Sequence, residues 1–117
     1  MVPTEILETF DRDFPEAGPQ NWQMLSDDLY VAKFLLRGFV QKAHYNAIGS
    51  WQYTDIEVAK NDLPEGALDH YDATYKQFPV ASTGFHDALS GSYYFIEIFR
   101  GGVKRKLKYD EEGNFLE

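Results

Sequence analysis

His44, His70 and His86 carry the most versatile chemistry in this chain. Two imidazoles meet one zinc ion on a helix when they stand four residues apart, and a metalloprotease adds a glutamate between them as HExxH. Neither spacing occurs. Cysteine is absent altogether, which removes disulfides, thiolate nucleophiles and cysteine-type zinc sites together. Serine is present, but not in the GxSxG setting that exposes a nucleophile between a strand and a helix. Gly101-Gly102 reads as a tight hairpin, because no helix follows to cradle a phosphate. The acids of the first helical segment and of Asp110-Glu111-Glu112 lack the spacing of an EF-hand loop and read as solvated surface. The expectation is therefore no catalytic residue, no metal ligand, no cofactor and no enzymatic activity.

Elsewhere the chain is acidic, with a formal net charge of -8 and a pI near 4.7. Proteins that bind nucleic acid draw affinity from neutralising phosphates with Lys and Arg, so a nucleic-acid partner is disfavoured, and an anionic membrane surface with it. Lys104-Arg105-Lys106-Lys108 is the one basic cluster. It reads first as a solvated strand whose charges discourage edge pairing, and second as a contact for an acidic partner or an anionic glycan. No apolar run approaches the roughly 18 residues of a spanning helix, so membrane insertion is not expected. Met1 is followed at once by a folded-looking element, as a start codon placed on a processed chain would be.

The elements that position these residues come twice. With the chain shifted by 64 positions, Leu25 falls on Leu89, Tyr30 on Tyr94, Gly38 on Gly102, Lys42 on Lys106, Tyr45 on Tyr109 and Gly49 on Gly113. Each copy begins with a proline in a first helical turn, Pro3 or Pro64, where the missing N–H has no partner to lose. An apolar stripe follows, Ile6, Leu7, Phe10 and Phe14 in the first copy and Ala67, Leu68, Tyr71, Tyr75 and Phe78 in the second. Phe14-Pro15 and Phe78-Pro79 end them, since the residue before proline is pushed out of the α region. The offset before these stops is 61, against 64 after them, which predicts a second helix longer by three residues, nearly one turn.

After each stop the period falls to two. NWQML, LYVAKFLLR, FVQKAHY and SWQYTDIEV are the predicted strands of the first copy, and GFHDAL, SYYFIEIF, GVKRKLKY and NFLE those of the second. An aromatic share of 16% suits such strands. The predicted fold is α+β: one domain, residues 1–117, of two α-β4 repeats (1–58 and 63–117, joined by 59–62). They form one eight-stranded antiparallel sheet with both helices on one face.

The Val2-Pro3 and Leu63-Pro64 helix starts, the two Phe-Pro stops, Trp22, the Tyr-rich second strands, and the turns before an aromatic (Gly49-Ser50-Trp51, Gly113-Asn114-Phe115) together carry a family resemblance. In their order and double occurrence the chain resembles the beta-lactamase-inhibitor-like, PepSY-like domain family of bacterial cell-envelope proteins. The resemblance implies a saddle-like sheet, a periplasmic or secreted location, no enzymatic activity, and protein binding on the exposed face. It does not extend to inhibition of a beta-lactamase, because the inhibitor's contact loops have no match here. Asn46-Ala47-Ile48-Gly49 also departs from the acidic turn usual in the family.

Strand alternation sorts the faces. Tyr30, Ala32, Phe34, Phe39, Ala43 and Tyr45 are assigned to the helix-covered core with Tyr94, Ile96, Ile98, Val103, Leu107 and Tyr109, and Ile6, Phe10, Leu68 and Tyr71 complete it. The opposite face carries Leu29, Val31, Lys33 and Leu35, with Tyr93, Phe95, Glu97 and Phe99 in the second copy, beside Val40, Lys42, His44 and Lys104, Lys106 and Lys108. A partly apolar face left uncovered marks a partner site. The expected occupant is a protein or peptide, with a second copy of the chain, a small molecule or a glycan as alternatives.

Overall fold

The computed structural model describes residues 2–117. Among them, two helices and seven strands run in the order α1 (Thr4–Asp13), β1 (Asn21–Ser26), β2 (Leu29–Leu36), β3 (Phe39–Tyr45), β4 (Trp51–Glu57), α2 (Glu65–Thr74), β5 (Val80–Ala88), β6 (Tyr93–Arg100) and β7 (Val103–Tyr109). The strands form one antiparallel sheet in chain order. The chain divides into two compact units at Ile56/Glu57.

In the first unit α1 lays Ile6 and Phe10 on one face of β2 and β3, where Tyr30, Ala32, Phe34, Ala43 and Tyr45 are buried with them. Phe10 is the centre of an aromatic cluster, with Phe34 at 4.9 Å, Phe14 at 5.2 Å and Trp22 at 5.5 Å between ring centroids. Tyr45, fully buried, sends its hydroxyl to the Asp13 carboxylate at 3.0 Å and so ties β3 to the end of α1. In the second unit Ala67 and Tyr71 of α2 pack on Ile96, Ile98, Leu107 and Tyr109. Here the hydroxyl of Tyr109 stands 2.9 Å from Nδ1 of His70, and the imidazole is sandwiched further by a stacked contact with Phe115 at 4.3 Å. Leu68, expected in the core, packs at its rim and is only partly buried.

Three expectations are corrected. The second helix is no longer than the first; both have 10 residues. The additional residues before Pro79 form a turn instead, in which Tyr75 N–H closes on the Tyr71 carbonyl, Phe78 N–H on the Tyr75 carbonyl, and the Tyr71 hydroxyl on the Phe78 carbonyl at 2.7 Å. Tyr75 and Phe78 keep apolar spacing because this turn still packs on the core. Secondly, the eighth strand is absent among the described residues. NFLE makes a single bridge, Tyr109 to Phe115, and then Leu116 N–H and the Glu117 carbonyl bond back to Lys108. Thirdly, Phe39 and Val103 are 45% and 67% exposed, although alternation placed them in the core. Each is the first residue after a two-residue hairpin turn, beyond the reach of a helix about 15 Å long.

The turns decide the register. Arg37-Gly38 and Gly101-Gly102 all have positive φ, the backbone of a type I′ hairpin whose twist matches the strands. Asn46 and Asp110 then organise equivalent four-residue turns. The Asn46 side-chain oxygen accepts from Ile48 and Ser50 N–H, and an Asp110 carboxylate oxygen accepts from Glu112 and Asn114 N–H. The sequence departure at Asn46 leaves the hydrogen bonding unchanged. Gly49 and Gly113 finish these turns at φ +87 and +90, each pressed against the first turn of its own helix.

Candidate functional site

The candidate residues lie on the sheet faces turned away from α1 and α2, and each unit is built differently. In the second unit Tyr93, Phe95, Glu97 and Phe99 alternate along β6, opposite β7 in the register Phe95 to Lys108, Glu97 to Lys106 and Phe99 to Lys104. The lysines fold over the aromatic rings. Lys106 Nζ is 4.4 Å from the centroid of Phe95, Lys108 Nζ is 4.9 Å from Tyr93, and Lys104 Nζ is 5.8 Å from Phe99. An ammonium over a ring face is attracted by its quadrupole while the alkyl stem covers apolar area.

The ladder corrects the expectation that Phe95 lies open on this face. Phe95 is only 7% exposed, so it is a packed residue and not an open contact. Phe99, at 40%, is the exposed ring of the row. Lys108 is engaged twice, since its ammonium also holds the Glu117 carboxylate at 2.6 Å. That pairing raises the Lys108 pKa and lowers that of Glu117. Glu97 accepts from the Ser82 hydroxyl at 3.3 Å. Arg105, although part of the basic cluster in sequence, lies on the helix side over Tyr75.

In the first unit the same face forms a groove of about 680 Å³, lined by Gln23, Leu25, Val31, Lys33, Lys42, His44 and Asp55, with Asn21 and Trp22. Its floor is two cross-strand rows. One runs Asn21, Lys33, Lys42, Asp55; the next runs Gln23, Val31, His44, Tyr53. His44 stacks on Tyr53 with 4.0 Å between centroids, and its Nδ1 is 3.1 Å from the Lys42 carbonyl. Burial holds the His44 pKa below its ordinary 6.5, with Asp55 pulling the other way. The imidazole is therefore neutral at pH 7, and the lysines supply the groove's positive charge. Val31 is buried between Gln23 and His44, against the expectation that it lies open, and Leu29 is half-buried. Lys33 and Leu35 are exposed.

Asp55 and Gln23 were not singled out by the sequence. The β2–β3 register follows from the two-residue turn, so Lys33 opposite Lys42 is readable in advance. A bulge at His44/Tyr45 shifts the next register, and nothing in the residue types announces it. Among the described residues, no group of three or more histidines and acids is placed to hold a metal ion.

No protein-family model matches the chain, and no curated protein sequence does. Solved structures match it over its whole length. A DUF2874 family protein from Bacteroides ovatus has a TM-score of 0.81 at 22% identity, with 86% of its own chain covered. A BLIP-like protein from Bacteroides fragilis has 0.82 at 20%, with 84% covered. A protein from Bacteroides eggerthii, provisionally named as periplasmic, has 0.81 at 15%, with 87% covered. No described helix is long and apolar enough to cross a membrane. At these identities the likeness is one of fold, and the chain has the α+β, BLIP-like fold of these Bacteroides proteins.

Proposed function

We propose that this protein is a non-enzymatic binding module of the bacterial cell envelope, which takes a protein or peptide on the sheet face opposite its helices. The observation that carries the reading is the groove of the first unit. It is built on strands, where side-chain positions are held by the ladder, and it combines exposed apolar Leu25 with the polar row of Asn21, Lys33, Lys42 and Asp55. Interfaces gain affinity from apolar anchors and selectivity from charges around them. The periplasmic or surface location is supported by the provisional name of the Bacteroides eggerthii neighbour. The equivalence of Asn46 with Asp110 and of Gly49 with Gly113 supports taking the two units as copies of one plan.

Photo-crosslinking in the producing cell tests the reading. Benzoylphenylalanine at Leu35 and at Phe99, both exposed on this face, is expected to give adducts that the same probe at helix residue Glu8 does not. Adducts from Glu8 alone, or from none of the three, refute it. Adducts only to a second copy of the chain would replace the partner by a homodimer. Fractionation with an antibody to the chain checks the location, and recovery from the cytoplasm contradicts it.

A small-molecule or glycan ligand is the second reading. It is favoured by one observation: the groove volume falls in the range of small-ligand sites and includes a histidine and a carboxylate, His44 and Asp55.

A further inference from the structure

We propose that Lys33 and Lys42 form a carboxylate-binding subsite in the groove of the first unit, which seats an aspartate or glutamate side chain of a peptide partner. The inference rests on the binding function proposed above and names the chemistry of the residue that is bound.

Lys33 and Lys42 are directly opposite each other on β2 and β3. Side chains so paired start from Cβ atoms about 4.5–5.5 Å apart, and like charges in that position are destabilising. The chain keeps this pair although it carries an excess of acids, 19 against 11 basic residues. Asp55 adjoins Lys42 on the far side and not Lys33, so the row holds two ammonium groups and one carboxylate. Both lysines are exposed, and both line the groove. A carboxylate has two acceptor oxygens and can take one N–H from each ammonium, which turns the repulsion into two charge-assisted hydrogen bonds.

The surroundings suit a peptide side chain. Asn21, at the end of the row, offers amide groups, and Gln23 offers them on the next row. Exposed Leu25 gives apolar area for the partner's neighbouring residues, and His44, neutral and stacked on Tyr53, lines the groove without adding charge. On β7, Lys104, Lys106 and Lys108 lie over rings, and Lys108 is paired with Glu117.

The test is titration of the isotope-labelled protein with a short blocked oligoglutamate, with oligoglutamine and with glucuronate, followed by amide NMR shifts. Oligoglutamate is expected to shift the amides of Lys33, Lys42 and Asn21 saturably, with oligoglutamine silent and the effect weakened by salt. Lys33→Met and Lys42→Met are each expected to weaken binding about ten-fold or more, with Lys104→Met as the control that does not. Shifts centred on β7, equal binding of oligoglutamine, or no saturable shift overturn the proposal. Glucuronate binding more tightly than oligoglutamate assigns the subsite to an acidic sugar and overturns the peptide. Crosslinks at Leu35 that persist when oligoglutamate is silent leave the binding face standing and remove only this subsite.

Discussion

Replacing Gly113 by alanine separates two costs that coincide at most glycines. Gly38 and Gly113 have nearly the same backbone, φ +84 and +90, but a Cβ on Gly38 meets nothing within 4 Å, while a Cβ on Gly113 stands 2.9 Å from Ala67 N, Gly66 Cα and Gly66 N. Left-handed strain costs about 1–2 kcal/mol, and the reduced freedom of the unfolded chain returns about 0.4–1 kcal/mol of it. Gly38→Ala should therefore cost about 0–1.6 kcal/mol. Gly113→Ala bears the same strain and must also push the turn off the backbone of α2, an overpacking cost of about 1–3 kcal/mol. The chain's 2 tryptophans, Trp22 and Trp51, both precede Ile56, so their fluorescence follows the first unit and far-UV circular dichroism must follow the second. Urea unfolding of both variants by dichroism gives the difference. Equal losses would refute the close contact between the Asp110–Gly113 turn and the first turn of α2.

Phe10→Ala should cost about 3–5 kcal/mol and change Trp22 fluorescence, because the indole packs edge-on to that ring; a loss below about 1 kcal/mol would mean that the cluster is not the core. His44 has a folded pKa below its ordinary 6.5, so the unfolded chain binds the extra proton first and stability should fall as pH drops below 6.5 towards the folded value. His44→Gln should flatten that slope in urea midpoints measured against pH, and an unchanged slope contradicts the assignment. Asp110→Asn should leave the thermal midpoint nearly unchanged, since Asn46 performs the same task, whereas Asp110→Ala should lower it by freeing Glu112 and Asn114 N–H; equal midpoints for the two variants count against this.

The sequence showed both helix starts, the stop of α1, the strand order and the partition of most faces, because each depends on local steric rules. Pro3 and Phe14-Pro15 bound α1 wherever the chain goes, and alternation puts Phe34 and Lys33 on opposite sides of β2. What it hid depends on contacts between distant residues. Tyr75 and Phe78 have helical spacing, yet the Tyr71 hydroxyl holds them in a turn. Phe95 sits on the open face, yet the stem of Lys106 covers it. The groove needs a bulge between His44 and Tyr45 to bring Asp55 beside Lys42, and a bulge has no residue signature here. The alternation error at Phe39 and Val103 has the same origin, since pattern fixes a side and not how far a helix extends over it.

The buried tyrosines at the ends of β3 and β7 bear on how such a sequence can drift. Burial raises the pKa of both, that of Tyr109 to about 12, so each keeps its proton and can give or accept a hydrogen bond. Tyr45 donates a hydrogen bond to the carboxylate of Asp13, and Tyr109 meets the imidazole of His70. The phenol on the strand is thus indifferent to whether the helix answers with an acid or a base. A helix facing such a residue can change its chemistry without stranding a polar atom in the interior, and the strand can stay constant while the helix diverges.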